Sequence, residues 1–405
     1  MKPEAPKSIA IVAQFYEPEP CAASNRLSSL AENLADRGHR VTVFTGMPSF
    51  PWGKVHADYR GKPSCTEYAG NVRIERRRAF VAEKGERGGR ARGWISLSLA
   101  VTRAILFSRE RFDTVVVSSP PITMTLPALL GAWRHRARLV IDVRDVFPDM
   151  GVRLGVWKAN GSIVRALGAA VGALYRHAAL VVAVTPSARR SILDHGVPTD
   201  RVLLAPNGFA FSQGVVPRPE RSQRRPFTIA YAGNMGLATG LGMVLDAAAL
   251  LRDRDDLRFV LAGGGLDAAK LQARIQSEGL NNVEFRGVVT RRESLELLAL
   301  ADATIVPLHR GLTDAIPSKM FDALAIGCPM ILSARGESVE LLARSQTGLH
   351  VEPNDAAALV RGIVECSNNR ETFERRSIAG QTFVREHFDR DAIMSGLAQT
   401  IGAIA

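Results

Sequence analysis

Short runs of Val, Ile and Leu recur along this chain, most of them without polar residues in alternation, and that pattern constrains the fold more than any other feature. A strand with one wet face alternates apolar and polar side chains. A run that is apolar throughout must bury both faces, as strands do in a parallel sheet covered by helices on each side. In the first half the strand candidates are Ile9–Gln14, Arg40–Thr45, Val72–Arg76, Thr114–Ser118, Arg138–Val143, Leu180–Val184 and Val202–Ala205. Helical stretches separate them: Asn25–Arg37 (ending at Gly38), Trp94–Ser108, Thr123–Arg134 and Ser162–His177. Alternation of this kind builds a doubly wound α/β domain.

Pro206-Asn207-Gly208 ends the pattern, and the polar, basic stretch Ser212–Pro226 has the composition of a linker. The pattern then restarts with strands Thr228–Ala232, Arg258–Ala262, Val283–Arg286, Ala303–Pro307, Met330–Leu332 and Leu349–Val351, and helices that include Gly240–Leu251 and Leu266–Glu278. Amphipathic pieces Arg370–Glu386 and Asp391–Ile404 close the chain. The 405 residues exceed one typical domain. The expected organisation is a Rossmann-like domain over 1–210, a linker over 211–226, a second Rossmann-like domain over 227–388, and a last helix over 389–405 with the option of packing back on the first domain. Two doubly wound domains facing each other across a crevice would line it with the C-terminal ends of both sheets, where α/β folds bind ligands.

Residues 1–210 hold 30 Lys/Arg against 17 Asp/Glu, whereas residues 211–405 hold 22 against 23, so the net charge of +12 resides in the first half. A localised anionic partner fits that asymmetry: membrane phosphates, nucleic acid or an anionic substrate. Arg73, Arg76, Arg77, Arg78, Lys84, Arg87, Arg90 and Arg92 precede the apolar stretch Trp94–Phe107, which is too short to span a bilayer. Arginines beside an apolar segment with Trp94 at its edge suit an anchor on anionic lipid, and a buried helix flanked by a solvated basic loop is the competing reading. No aromatic-lined platform or recognition helix accompanies the arginines, which argues against nucleic acid. The initial apolar run is too short for a signal peptide, so a cytoplasmic protein is expected. The four cysteines form no CxxC, which removes zinc and disulfide frameworks from consideration.

The loops after the strands carry the candidate chemistry. Phe15–Ser24 (FYEPEPCAAS) holds no glycine, which argues against a dinucleotide fingerprint; it is an active-site loop or a plain connection. Val140–Asp149 (VIDVRDVFPD) gathers three carboxylates around Arg144, and Arg144 with Asp145 forms either a structural ion pair or a polar wall for a sugar. Tyr231–Gly240 (YAGNMGLATG) and Ala262–Gly265 (AGGG) are glycine-rich turns on one sheet edge, where backbone can approach a phosphate, though the spacing is not that of a P-loop. Asp314–Pro329 reads DAIPSKMFDALAIGCP. With Ser318 as a helix cap, Lys319 would lie in the first turn and Asp322 one turn on, an ammonium beside a helix N-terminus; the alternative is an ordinary capped helix with solvated charges. Asp253-Arg254-Asp255 resembles a DxD metal motif but reads as a solvated helix end.

Taken in order, FYEPEPCAASNRL, DVRDVFPD, APNGF, YAGNMGLATGL, FVLAGGG, NVEFRGVV and IPSKMFDALAIGCP resemble a GT-B glycosyltransferase of family 4, in its WbuB-like branch of bacterial surface polysaccharide biosynthesis. The family pairs two acids as E-x7-E; Asp314 and Asp322 stand at those places, followed by the matching Ala323, Ala325, Gly327 and Pro329. The resemblance implies that Asp322 meets the donor ribose and Asp314 the donor sugar. It places Gly287 and Val288 by the base and Gly233 and Asn234, with Gly236 and Gly264 on the same edge, by the diphosphate. Many members carry an Arg directly after the glycine matching Gly233 and a Lys five residues further on, where this chain has Asn234 and Thr239. Lys319, with Ser318 beside it and Arg310 behind it, is then the expected diphosphate ligand.

The implied activity is transfer of a sugar from a nucleotide diphosphate sugar, a UDP-sugar ahead of a GDP-sugar, to a lipid-linked or other saccharide acceptor at the inner face of the plasma membrane. No cofactor or metal is implied, and retention of configuration is expected. Asp314, Lys319, Arg144 and Asp145 are the expected catalytic group; Arg76, Arg77, Arg78 and Trp94 the acceptor and membrane side. A nucleotide-sugar epimerase or hydrolase, or a non-catalytic membrane-associated scaffold, are the competing readings.

Overall fold

The computed structural model describes residues 5–51, 53–82, 88–153, 155, 157–158, 161–219 and 226–404. The chain divides into two compact units, Met1–Pro206 with Asp391–Ala405, and Asn207–Arg390. Lys84 and Arg87 lie outside the described residues.

The first unit runs β1 (Ser8–Val12), α1 (Ala22–Asp36), β2 (Arg40–Gly46), β3 (Ser64–Ala69), β4 (Val72–Arg77), α2 (Gly89–Leu106), β5 (Thr114–Ser119), α3 (Thr125–His135), β6 (Arg138–Val143), α4 (Asp149–Arg153), α5 (Ser162–His177), β7 (Leu180–Ala183), α6 (Pro186–Asp194) and β8 (Val202–Leu204). Its strands lie in the order β3-β4-β2-β1-β5-β6-β7-β8, parallel except for β3 against β4. The unbroken apolar runs are explained by burial on both faces. Val115 and Val117 of β5 enter one core while Val116 enters the other, and Ala10 and Val12 of β1 divide likewise from Ile9 and Ile11. Strand β3 escapes the sequence pattern because it is an edge strand: its residues alternate between exposed and half-buried and carry no apolar run.

The second unit runs β9 (Phe227–Ala232), α7 (Gly242–Leu250), β10 (Leu257–Ala262), α8 (Ala268–Ser277), β11 (Val283–Gly287), α9 (Arg291–Leu300), β12 (Ala303–Pro307), α10 (Ser318–Ile326), β13 (Met330–Ser333), α11 (Glu337–Ser345), β14 (Gly348–Val351), α12 (Ala356–Asn368) and α13 (Arg370–His387). Its six strands are all parallel, in the order β11-β10-β9-β12-β13-β14. The last helix, α14 (Arg390–Ile404), belongs to the first unit from Asp391 onward. Met394, Leu397, Ala398 and Ile401 join the core beneath β1 and α1, and the Lys7 ammonium donates to the Gly402 carbonyl at 2.7 Å.

The division falls after Pro206, earlier than the boundary expected at 210. Phe209 is already tied into the second unit, its backbone N–H donating to the Phe388 carbonyl and its carbonyl accepting from Arg390, both at 3.0 Å. The stretch expected to be a free linker is also attached to that unit, where the Arg218 guanidinium donates to the Leu298 carbonyl at 3.2 Å.

The central strands of the first sheet being buried on both faces, charges placed among them must be paired. Arg26, 2 % exposed, meets Asp142, 1 % exposed, with Nη2 donating to Oδ1 at 2.8 Å and Nε donating to both carboxylate oxygens at 3.1 Å. Its other terminal nitrogen donates to the Pro206 carbonyl at 3.3 Å, so the pair also fixes the end of the unit. Removing one partner strands a buried charge, whereas replacing both does not. Arg26→Met is expected to cost roughly 3–5 kcal/mol in urea unfolding, and adding Asp142→Leu should restore most of that loss.

Candidate functional site

Strand β9 lies in the middle of the second sheet, and the chain winds outward from it on both sides, so the ends of β9 and its neighbours are where such a sheet leaves room for a ligand. Three strand ends are joined there by backbone hydrogen bonds: Gly233 N–H to the Ala262 carbonyl at 2.9 Å, Met235 N–H to Gly264 at 2.8 Å, and Gly263 N–H to Gly287 at 2.6 Å. The joint requires glycine. Gly263 has φ +142°, and a Cβ on it would lie 1.8 Å from the Gly233 carbonyl oxygen. Gly233 shares that φ, and a Cβ there would stand 2.8 Å from Lys319 Cε and 3.0 Å from its Nζ.

Lys319 therefore rests directly on the Gly233 turn. Its ammonium lies 4.7 Å from the ring centroid of Tyr231, which is fully buried and whose hydroxyl donates to the Asn234 carbonyl. Lys319 is the second residue of α10, whose first-turn N–H groups have no partner within the helix. Ser318 is not the cap: it is the first helical residue, and extended Pro317 precedes it without a side-chain cap bond. Proline at that place presets the backbone, so the helix starts one residue earlier than a serine cap would have it.

Asp322 lies one turn further along, 7 % exposed, and its carboxylate is held by a residue that sequence reasoning did not single out. Arg291 donates from Nη1 to Oδ2 and from Nη2 to Oδ1, each at 2.6 Å. Burial disfavours the guanidinium's charge, but the Asp322 carboxylate beside it more than offsets this and holds its pKa above the ordinary arginine value. Arg291 opens α9, whose start is fixed by a capping box between Thr290 and Glu293. The pattern Thr290-x-x-Glu293 was a legible signal for that helix start. Its pairing with a residue 31 positions away was not.

Gly264 lies against Val288, which is 39 % exposed beyond the end of β11. Asn234 is exposed and Gly236 buried, the latter's carbonyl accepting from the Thr239 hydroxyl at 2.7 Å. Arg310 is exposed on the loop after β12, and Asp314 is half-buried further along it. The start of α11 holds that loop, Glu337 N–H donating to the Thr313 carbonyl at 2.9 Å and the Ser338 hydroxyl to Ala315 at 2.5 Å. The structure thus gathers Gly233, Asn234, Gly264 and Lys319 on one edge and sets Asp322 on α10 with Arg291.

In the first unit Arg144 donates from Nε to the Ser118 hydroxyl at 3.1 Å and from Nη2 to the Pro120 carbonyl at 3.3 Å, bracing the end of β5; Asp145 follows it, half-buried. Arg76 is not available to a membrane. It is 1 % exposed, ion-paired with Glu67, hydrogen-bonded to the Glu17 carbonyl, and 5.3 Å from the Tyr59 ring centroid. As an inward-facing residue of β4 it is an internal strut, which a count of arginines cannot reveal. Arg77 is partly covered and pairs with Glu75 at 2.9 Å, whereas Arg78 is exposed. Helix α2 exposes Trp94, Ile95 and Leu99, and α3 exposes Leu126 and Trp133. Among the described residues no helix is long and apolar enough to cross a membrane, and no group of three His, Cys, Asp or Glu side chains could hold a metal ion.

Two family descriptions match the chain: "Glycosyl transferase 4-like domain" over residues 22–208 and "Glycosyl transferases group 1" over residues 216–383. Among curated relatives, a glycosyl transferase named for colanic acid biosynthesis in Escherichia coli strain K12 is 27% identical over 364 residues, covering 86% of this chain and 89% of that protein. A GDP-mannose-dependent alpha-mannosyltransferase of Mycolicibacterium smegmatis is 27% identical over 391 residues, 93% of each. Among solved structures, Anabaena HepE in complex with UDP and glucose superposes with a TM-score of 0.69 at 16% identity, over 98% of this chain and all of that one. WaaG, a glycosyltransferase involved in lipopolysaccharide biosynthesis, gives 0.67 at 15% identity over 97% and 99%.

One further group titrates near neutrality. Glu19, in the loop after β1, is 2 % exposed. Its Oε1 accepts from the backbone N–H groups of Ser49 and Phe50, each at 2.9 Å. Burial outweighs those bonds and pushes its carboxyl up to about 7 from 4.5. The raised value means that the folded state binds the proton more tightly than the unfolded chain, so this contribution is full below pH 4.5 and fades as pH rises through 7. Wild-type stability should fall on the order of 2 kcal/mol across that window, and Glu19→Gln should flatten the profile in pH-resolved urea unfolding.

Proposed function

The chain belongs to the glycosyltransferases of GT-B fold, and from that premise we propose that it transfers a sugar from a nucleotide diphosphate sugar to a saccharide acceptor carried on a membrane lipid, in the assembly of a bacterial surface polysaccharide. The observation that carries the reading is the Lys319 ammonium lying on the Gly233 turn at the start of α10. Departure of a nucleoside diphosphate leaves negative charge on its phosphates. A fixed cation, helix N–H groups and a glycine turn that admits close approach are the means of stabilising it. Charge neutralisation is assigned to these groups rather than to a divalent ion. Asp322 is assigned to the ribose, Asp314 to the donor sugar, and Arg144 with Asp145 to the acceptor side. Retention of configuration, through an oxocarbenium-like transition state attacked on the leaving-group face, is part of the same reading.

UDP-sugar donors come first, in keeping with the UDP bound to Anabaena HepE. The mycobacterial relative named for GDP-mannose favours a GDP-sugar as the second reading. A thermal-shift screen with both nucleotide series separates them, because a bound ligand raises apparent stability with affinity. Lys319→Ala is expected to lower kcat about 100-fold or more in a radiolabelled-donor assay; near wild-type turnover would defeat the reading. Product formed from donor without acceptor would instead indicate an epimerase or hydrolase.

Contact with an anionic membrane at the cytosolic face is assigned to α2, where Trp94, Ile95 and Leu99 are exposed within reach of the chain's basic half. Replacing both Trp94 and Leu99 by Ser should weaken co-sedimentation with phosphatidylglycerol vesicles by about tenfold or more, while leaving turnover of a soluble acceptor unchanged.

A further inference from the structure

We infer that Arg291 is a positioning residue for nucleotide recognition, holding the Asp322 carboxylate so that its two oxygens accept the vicinal hydroxyls of the donor ribose. The inference rests on the donor-site reading of α10. Lys319 and Asp322 are three residues apart on that helix and so share a face, about 4.5 Å apart along its axis. A ligand with its phosphates at Lys319 brings its sugar next to Asp322.

An ionised carboxylate offers about four lone-pair sites on two oxygens. The Arg291 fork takes one on each, at 2.6 Å, and leaves one on each. A vicinal diol presents two donors of matching number. Without the fork the carboxylate rotates freely about its last bond, and its charge stands uncompensated on the same helix face that must admit a diphosphate. The fork removes both problems at once. Arg291 is itself well held: it opens α9 at the Thr290–Glu293 capping box, and its guanidinium carbon lies 5.7 Å from the Phe209 ring centroid. The neighbouring Arg292 differs in every respect, pairing with Glu296 within its own helix at 86 % side-chain exposure.

Titration calorimetry with UDP, 2′-deoxy-UDP and 3′-deoxy-UDP, and with the guanosine counterparts, tests the assignment. The wild-type protein should lose about tenfold or more in affinity for each missing hydroxyl, the worth of a hydrogen bond to a charged group. Arg291→Ala should bind the full nucleotide about 10- to 100-fold more weakly and no longer distinguish it from the deoxy analogues. Arg291→Lys, which keeps the charge and loses the planar fork, should recover part of the affinity and little of the discrimination. If Arg291→Ala does not fold, the lysine variant decides alone. Equal loss for full and deoxy nucleotides, or discrimination retained in the variants, makes the pair merely structural and overturns the inference. A wild-type protein that binds neither nucleotide series overturns the donor-site reading beneath it, which is a different result.

Discussion

Two turns of the second sheet approach so closely that a single methyl group could not fit between them. A Cβ on Gly263 would lie 1.8 Å from the Gly233 carbonyl, and the site at that edge depends on the contact. Because the turns join, the ends of β9, β10 and β11 share backbone hydrogen bonds and form one ledge instead of three independent loops. Because Gly233 has no side chain, Lys319 can lie across that ledge with its ammonium over Tyr231. A phosphate site needs backbone that can be approached and a cation that is already in place. Under the proposed donor-site reading, the same missing side chains allow both here.

Charge inside the first unit follows a different rule. A sheet dry on both faces can keep ions only in pairs, and Arg26 with Asp142 shows the arrangement in its most buried form. Arg76 with Glu67 is a second case, nearer the edge. Part of the positive excess of the first half is thus structural and unavailable to any partner. The surface that remains includes exposed Arg73, Arg78, Arg90 and Arg92 beside the apolar face of α2, where side chains such as Leu99 stand out to solvent.

These distinctions bear on what could be read from the chain alone. Parallel sheets and their winding were legible, because burial on both faces leaves apolar runs without polar alternation such as Val115–Val117, and the comparisons and the structure agree with the GT-B expectation. Strand β3 was not, since an edge strand carries no such run. At the site, the glycine turns and Lys319 were legible because each is a local signal at a strand end or a helix start. Arg291 was not: its meaning lies in a contact across 31 residues, and nothing in TRRES distinguishes it from the exposed Arg292 beside it. The reverse error befell Arg76, whose basic neighbours suggested a surface while the period of its strand turned it inward.

The departures from the family's usual pattern form one consistent rearrangement. Where many members place a lysine on the first turn of the second sheet, this chain has Thr239, 6 % exposed, whose hydroxyl closes the turn on the Gly236 carbonyl. A cation could not be added there without opening that turn. The positive charge reaches the same ledge from α10 instead, through Lys319. A shorter acid follows on the same helix: Asp322 has one methylene less than the usual glutamate, so its carboxylate stays close to the helix, within the grip of Arg291. A longer side chain would carry the carboxylate past that fork. Moving the cation onto α10 also puts it one turn from the acid, and under the proposed donor-site reading a bare carboxylate there would repel the phosphates assigned to Lys319. The Arg291 pair removes that conflict, and so the lysine, the short acid and the arginine are best understood as a single unit.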